Sequence, residues 1–425
     1  MANGGETVER KGLNWSVVFG LALLGFSRSM GWALNKGFSF PLLSDYTTSA
    51  FVKGSILALE GFIGLLVPPF LGYYSDTLKS GHGRRRPFIF VGGILSAVAT
   101  LMIWTAYRMG VPLWGFALSL AFLYFSLHLY TAQFRALMPD TVESGQRGKA
   151  SGVITLLEWA GNLFLFGLGG FLVAKYGKGY IGPFGLAALF LFMAAAFVYY
   201  KVREPEAPKI EENESLSEYV KSIFTTRDFL KFYTAQILWW MSFEFIAIFL
   251  YGILAFILYG SATEENINTV TPMGLYLMAL FNVAVLLGSL PGGYIYDKVG
   301  RRLSIILGGL IFALPLLWGW FIHTSAQIYA ALLVAGIGWG TLLAASYPVV
   351  GDLLTKFEKE AFTGRYYGVY EATKSIPVLL AGTIGGAIVD LAGGNYRILF
   401  PIGAVLVLIA MPLIWSMKEL EVKNG

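Results

Sequence analysis

The chain has 425 residues, of which 56% are hydrophobic and 13% charged, with no cysteine and a formal net charge of +5. Soluble domains carry about 25% charged residues, so an ordinary soluble enzyme is excluded. Lack of cysteine also excludes disulfides, thiolate nucleophiles, iron–sulfur clusters and cysteine-ligated zinc. The three histidines, His82, His128 and His323, stand far apart with no HExxH pattern, so neither a metal site nor a cofactor is expected.

A helix that crosses the hydrocarbon core needs about 20 largely apolar residues. Such runs occupy 14–40, 54–75, 88–107, 113–134, 150–174 and 181–200, then 229–258, 272–296, 303–322, 326–351, 366–389 and 398–416. The runs are continuous, without the alternating polarity of membrane β-strands. The expected fold is therefore an all-α polytopic membrane protein with twelve transmembrane helices. The first run lacks an A-x-A-like cleavage site and reads as retained. The long polar stretch, 201–228, reads as a cytoplasmic linker between an N-terminal half (1–200) and a C-terminal half (229–425) of six helices each. Within it, SLSEYVKSIF is either a short interfacial helix or part of a solvated tether.

Lys and Arg set orientation. With the N-terminus inside, most of the 31 basic residues fall in cytoplasmic segments, against Lys53, Arg108, Lys175, Lys178 and Arg397 outside. Both termini are then expected in the cytoplasm, at the cell (plasma) membrane. The basic excess reads as topological rather than as a nucleic-acid footprint, so no nucleic-acid partner is expected.

The halves repeat. After the second run comes Gly72-Tyr-Tyr-Ser-Asp76, then Gly83-Arg84-Arg85-Arg86; after the eighth comes Gly293-Tyr-Ile-Tyr-Asp297, then Gly300-Arg301-Arg302. Gly152 in the fifth run and Gly368 in the eleventh recur at nearly the same offset. Parallel six-helix repeats on either side of a linker describe a transporter whose halves rock. The pattern G-x-x-x-D-x-x-G-R-R resembles that of the major facilitator superfamily across essentially the whole chain. Its acids at helix ends can pair with the arginines or cap a neighbouring helix, and so gate the protein; the arginines can equally serve topology alone.

GYYSDTLKSGHGRRRPFI is similar to the loop between the second and third helices of plant sucrose/proton symporters, which are close to the glycoside–pentoside–hexuronide cation symporters. Gly31-Trp32-Ala33-Leu34-Asn35 resembles that group's G-W-A-L-Q, and Gln133-Phe134-Arg135-Ala136-Leu137 with Asp140 resembles its Q-G-P-x-R-A-L-x-x-D. Gly161-Asn162 and the Trp239–Trp240 pair also have counterparts there. The second half matches only at the superfamily level. Two positions depart from the group: Tyr124 stands where its relatives carry an acid in span four, and His128 stands where they carry Asn. The melibiose-type cation site is not reproduced either, with Glu60 on span two and no acid on span four.

Charges inside spans are costly and face interior cavities. They are Arg28, Lys36, Glu60, Glu158, Glu244, Glu371 and Lys374, while spans three, six, nine and twelve carry none in their apolar runs. Arg28 and Glu244 lie at similar depth on symmetry-related spans and are expected to be neighbours; Glu60 and Lys36 are expected near the outer face, where they can snorkel. Arg28, Glu158, Glu244, Glu371 and Lys374 are the coupling candidates, with static ion pairing as the alternative. Trp32, Asn35, His128, Gln133, Asn162, Trp239, Trp240, Asn282 and Trp339 offer the stacking surfaces and hydrogen-bonding groups a sugar needs.

The leading expectation is a monomeric secondary transporter, not an enzyme, carrying a sugar or glycoside (a disaccharide is favoured) with protons by alternating access. Proton-coupled efflux of amphipathic molecules on the same fold is the alternative, although the antiporter signature G-x-x-x-G-P-x-x-G-G is absent from span five.

Overall fold

The computed structural model describes residues 14–77, 83–142, 147–204, 227–346, 348–357 and 363–417. The interior of the linker, 205–226, with SLSEYVKSIF, lies outside the described residues, as do His82 and the side chains of Gly72, Asp76, Gly293, Asp297 and Glu371.

Twelve helices are long and apolar enough to cross a membrane, and there is no strand among the described residues. The N-terminal six are α1 (Trp15–Leu43), α2 (Ala50–Thr77), α3 (Arg86–Arg108), α4 (Leu113–Thr141), α5 (Arg147–Tyr176) and α6 (Ile181–Lys201). The C-terminal half comprises α7 (Arg227–Tyr259), α8 (Glu264–Val299), α9 (Arg301–Trp318), α10 (Ser325–Ser346), the short α11 (Val349–Lys356), α12 (Thr363–Leu391) and α13 (Leu399–Trp415).

The packing repeats with the sequence. In the first half α3 lies on α4 and α6, α1 on α5 and α6, and α2 on α4; in the second, α9 lies on α10 and α13, α7 on α12 and α13, and α8 on α10. Burial is greatest at the same place in each half. The most apolar window is 72% buried in α1 and 67% in α7, against 39–56% in the other ten spans. Thus α1 and α7 are the most enclosed helices, and they touch each other at the centre.

The Gly-Arg-Arg motif has the same backbone geometry in both halves. Gly83 (φ +89°) and Gly300 (φ +83°) each take the left-handed conformation that a side chain resists, immediately before the arginines that open α3 and α9. At Gly83 a Cβ would also lie 2.4 Å from the Glu204 carboxylate. Arg84 donates to Asp140 at the end of α4 (2.9 Å), and Arg301 pairs with Asp352 beyond the end of α10. Arg86 donates to the Tyr199 and Val202 carbonyls at the end of α6, as Arg302 does to Trp415 at the end of α13 (3.4 Å). Cations at helix C-termini complement the helix dipole, so each half is tied by the same two fastenings.

The halves meet tightly at the end opposite these arginines. There α2 and α12 are in backbone contact: a Cβ on Gly54 would stand 2.0 Å from the Gly382 carbonyl, and one on Gly386 2.4 Å from that of Ala50. Nearby, α5 packs on α8, with Gly170 against the Tyr276 ring. Asp390 of α12 caps α2, accepting hydrogen bonds from Ser49 Oγ (2.6 Å) and the N–H groups of Ala50 (2.8 Å) and Phe51 (3.0 Å). This cap starts α2 at Ala50, four residues earlier than apolarity alone suggests. Lys53, expected outside the span, is consequently inside the helix and fully buried, its Nζ 4.8 Å from the Phe40 ring centre.

Candidate functional site

One face of α1 presents Arg28, Trp32, Asn35, Lys36 and Ser39, residues spaced by three, four or one along a helix with 3.6 residues per turn. Lys36 Nζ lies 2.9 Å from Glu244 Oε2 on α7 and 3.4 Å from Glu60 Oε2 on α2. The three side chains are 24%, 5% and 12% exposed. Lys36 and Glu60 are therefore not snorkelling groups, because each is engaged inward between the halves. The expected Arg28–Glu244 neighbourhood is likewise corrected. Arg28 donates to Glu158 on α5 (3.2 Å), whereas Glu244 takes Lys36, eight residues further along α1 and about 12 Å away at 1.5 Å per residue.

Asn35 links this junction to α4. Its Nδ2 donates to Glu60 Oε2 (2.7 Å), while its Oδ1 accepts from Tyr124 Oη (2.9 Å) and Ser39 Oγ (2.8 Å). The two hydroxyls fix which way the amide points. Tyr124, at the position where an acid was looked for, is thus a hydrogen-bond donor that orients the group holding Glu60. Beside it His128 meets the edge of the Trp32 ring at 5.1 Å, and its buried Nε2 has no hydrogen-bond partner among the described residues.

Nearer the arginine end, Glu158 is shared by Arg28 and the half-exposed Arg135 (3.3 Å). Asn162 follows one turn later on α5 and is partly exposed. On the C-terminal side, Trp240 packs edge-on against Trp339 (4.9 Å), which stacks on Phe243 (4.6 Å). Lys374 lies over the rings of Tyr370 (4.4 Å) and Trp240 (5.7 Å). Trp240 Nε1 is buried and without a hydrogen-bond partner among the described residues.

Three of the residues singled out for sugar contact are engaged within the protein. Gln133 is buried in the arginine cluster, accepting from Arg85 (3.3 Å) and donating to the Leu71 carbonyl (3.2 Å). Trp239 is fully buried and packs on Phe232. Asn282 donates to the Met278 carbonyl of its own helix (2.6 Å). Trp32, Asn35, Asn162 and Trp240 are on helices that meet between the halves, with His128 against Trp32 and Trp339 against Trp240.

Four other groups are not evident from the pattern of span charges. Asp140 is shared by Arg84 and Arg85 (3.3 Å), and Glu204 accepts from the Arg85 N–H (2.9 Å) while lying 3.7 Å from Arg84 Nε. Asp352 is the repeat mate of Asp140, a signal already present in the two halves. In the loop before α6, Lys178 pairs with Asp45, which also accepts from Tyr107 (2.7 Å). Burial pulls the Lys178 ammonium below its ordinary pKa, against the opposing pull of Asp45.

Two six-helix halves facing each other across buried charges define a membrane carrier. A profile described as Major Facilitator Superfamily matches residues 18–260 and 244–424, and the chain belongs to that family. Among relatives, a general alpha-glucoside permease of Schizosaccharomyces pombe is 21% identical over 92% of this chain and 90% of its own. Sucrose transport protein SUC3 of Arabidopsis thaliana is 28% identical over 33% of this chain and 26% of its own length. An uncharacterized MFS-type transporter of Bacillus subtilis is 30% identical over 33% of this chain and 34% of its own. These last two matches thus span about a third of the relative's length or less. Among solved structures, a D-xylose-proton symporter superposes with TM-score 0.71 at 15% identity, covering 95% of this chain and 97% of that one. A bacterial homologue of the lysosomal transporter Spinster gives 0.73 at 13%, covering 97% and 100%. At such identities the likeness is one of fold.

Proposed function

We propose that the protein carries a sugar or glycoside across the cell membrane, with a disaccharide favoured, in symport with protons by alternating access. In this reading both termini are cytoplasmic and the arginine end faces the cytoplasm, following the distribution of basic residues. The sugar relatives named above support the substrate class. The carrying observation is the Lys36 junction, where a cation of one half meets a carboxylate of the other beside Trp32, Asn35 and His128. Buried donors left unpaired cost about 1–3 kcal/mol each. The Trp240 and His128 nitrogens can recover that cost on substrate hydroxyls when the helices part. Nothing is made or broken covalently, so the protein acts as a carrier and not as an enzyme.

The test is proton entry into liposomes containing the purified protein, on addition of sucrose, maltose, trehalose or their monosaccharides. Sugar-triggered proton uptake is the expected result. Sugar counterflow without a proton signal would remove the proton coupling and leave a sugar carrier. No response to any sugar would overturn the sugar reading in favour of efflux of amphipathic compounds, for which the Trp240–Trp339–Phe243 cluster offers an apolar surface.

A further inference from the structure

Lys374 sits in the kind of setting that binding sites use for organic cations, between the faces of aromatic rings. Lys374 and Tyr370 stand four apart on α12 and so share one face of it. The ammonium lies 4.4 Å from the centre of the Tyr370 ring and 5.7 Å from that of Trp240 on α7. Both distances fall within the roughly 6 Å over which a ring face attracts a cation.

Neither ring depends on the ammonium for its place. Tyr370 is buried and stacks on Phe232 of α7 (6.2 Å between centres, planes 12° apart), and its carbonyl accepts from Gln236 Nε2 of the same helix (2.8 Å). Trp240 is backed edge-on by Trp339 (4.9 Å) and Phe243 (5.6 Å). The pocket also borders the other half. Ser375, the next residue of α12, abuts α2: a Cβ on Gly61 would lie 2.4 Å from the Ser375 carbonyl, and one on Gly64 2.8 Å from its Oγ. That same point on Gly64 is 2.7 Å from His128 Nε2, beside Trp32. The ammonium thus stands next to the Trp32–His128 pair, where the two halves meet.

We propose that the Tyr370–Trp240 pocket is an organic-cation site that the protein fills with its own Lys374, and that the tethered ammonium is a specificity determinant that keeps cationic substrates out. The proposal rests on the transport reading above and narrows its substrate class to uncharged or anionic molecules. Two effects act together. A tethered group competes at a high effective concentration, so a free cation must displace it from the rings. A cation that approaches without displacing it meets a like charge at short range. An uncharged sugar meets neither obstacle. The apolar surface of Trp240, Trp339 and Phe243 is thereby closed to lipophilic cations as well.

The test is choline binding to the purified protein, read by saturation-transfer NMR in nanodiscs of phosphatidylethanolamine and phosphatidylglycerol, lipids without a choline group. Neohexyl alcohol, in which carbon replaces the choline nitrogen, is the uncharged control. Lys374→Ala removes the tether and its charge but leaves the rings. It should bind choline at least about tenfold more tightly than the wild type does, and about tenfold more tightly than it binds neohexyl alcohol. Adding Trp240→Leu should return choline affinity to the wild-type level. Lys374→Arg keeps a cation over the rings and should bind no better than the wild type. Lys374→Ser, equally short, carries the same test if the alanine variant is not recovered in folded form.

Equal choline affinity in the wild type and in Lys374→Ala would overturn the proposal. So would equal affinity of Lys374→Ala for choline and neohexyl alcohol, which would mark an apolar gap and not a cation site. No sugar enters the measurement, so it separates the two readings. Choline binding gained in Lys374→Ala stands even if every sugar fails in liposomes. Sugar flux in the wild type, with no choline binding in Lys374→Ala or Lys374→Ser, sinks the cation site and leaves the carrier.

Discussion

At the scale of single residues, the interior charges depend on who orients whom. Tyr124 and Ser39 donate to one oxygen of Asn35, which turns its amide nitrogen toward Glu60. Tyr124→Phe removes one of those donors at a net cost of about 1 kcal/mol and frees the amide to turn. The Lys36 junction should then be held less firmly, and sugar uptake should fall about threefold while protein yield stays unchanged. Uptake equal to that of the wild type would show that Asn35 needs no second hydroxyl. Little of this network is legible in the sequence. Counting residues from a span boundary gives depth along one helix. It does not say which helix stands opposite, which is why Arg28 rather than Lys36 seemed the natural partner of Glu244. The two acids that hold the arginines, Asp140 and Asp352, are more legible, since each recurs at the same place in its half.

At the scale of elements, α2 begins where it does because its cap comes from a residue 340 positions later in the chain, which no local pattern contains. The cap joins the two halves and is exposed, so it contributes about 1 kcal/mol. Asp390→Asn keeps the acceptor oxygen but loses the charge, and should raise the fraction of molecules open at this end up to about fivefold. Gly54→Val should do so more strongly, because its Cβ would sit 2.0 Å from the Gly382 carbonyl. Reaction of a cysteine at position 53 or 57 with a water-soluble maleimide, placed in each background, measures the opening. Equal reactivity in all backgrounds would mean that the cap and the glycine contact do not hold this end shut. The arginine helices were readable, by contrast. Both copies of the Gly-Arg-Arg motif place a left-handed glycine just ahead of a helix start, and glycine permits that conformation at little cost.

At the scale of the whole molecule, composition and run length were enough to give twelve membrane helices, and the internal repeat was enough to give two equivalent halves. That information is carried by hydrophobic length and by motifs repeated in one chain, and both survive without knowledge of contacts. The relation between the halves is not carried that way. It rests on glycine backbones touching at Gly54, Gly382 and Gly386, and on the Lys36 and Asp390 bonds, each formed between residues more than 200 apart.

Glu204 has a use beyond its pairing with arginine. It grips the backbone N–H groups of Arg85 and Arg86 at the start of α3, so the chain leaves the first half from a fastened point rather than from a loose helix end. The gene could therefore be cut in two just after this fastening. Fragments 1–210 and 211–425, made as separate polypeptides in one cell, should find each other, co-purify and restore flux. Fragments 1–201 and 202–425 should complement poorly, because the first would lack its own closing acid. Equal recovery from both cuts would show that the two halves assemble without it.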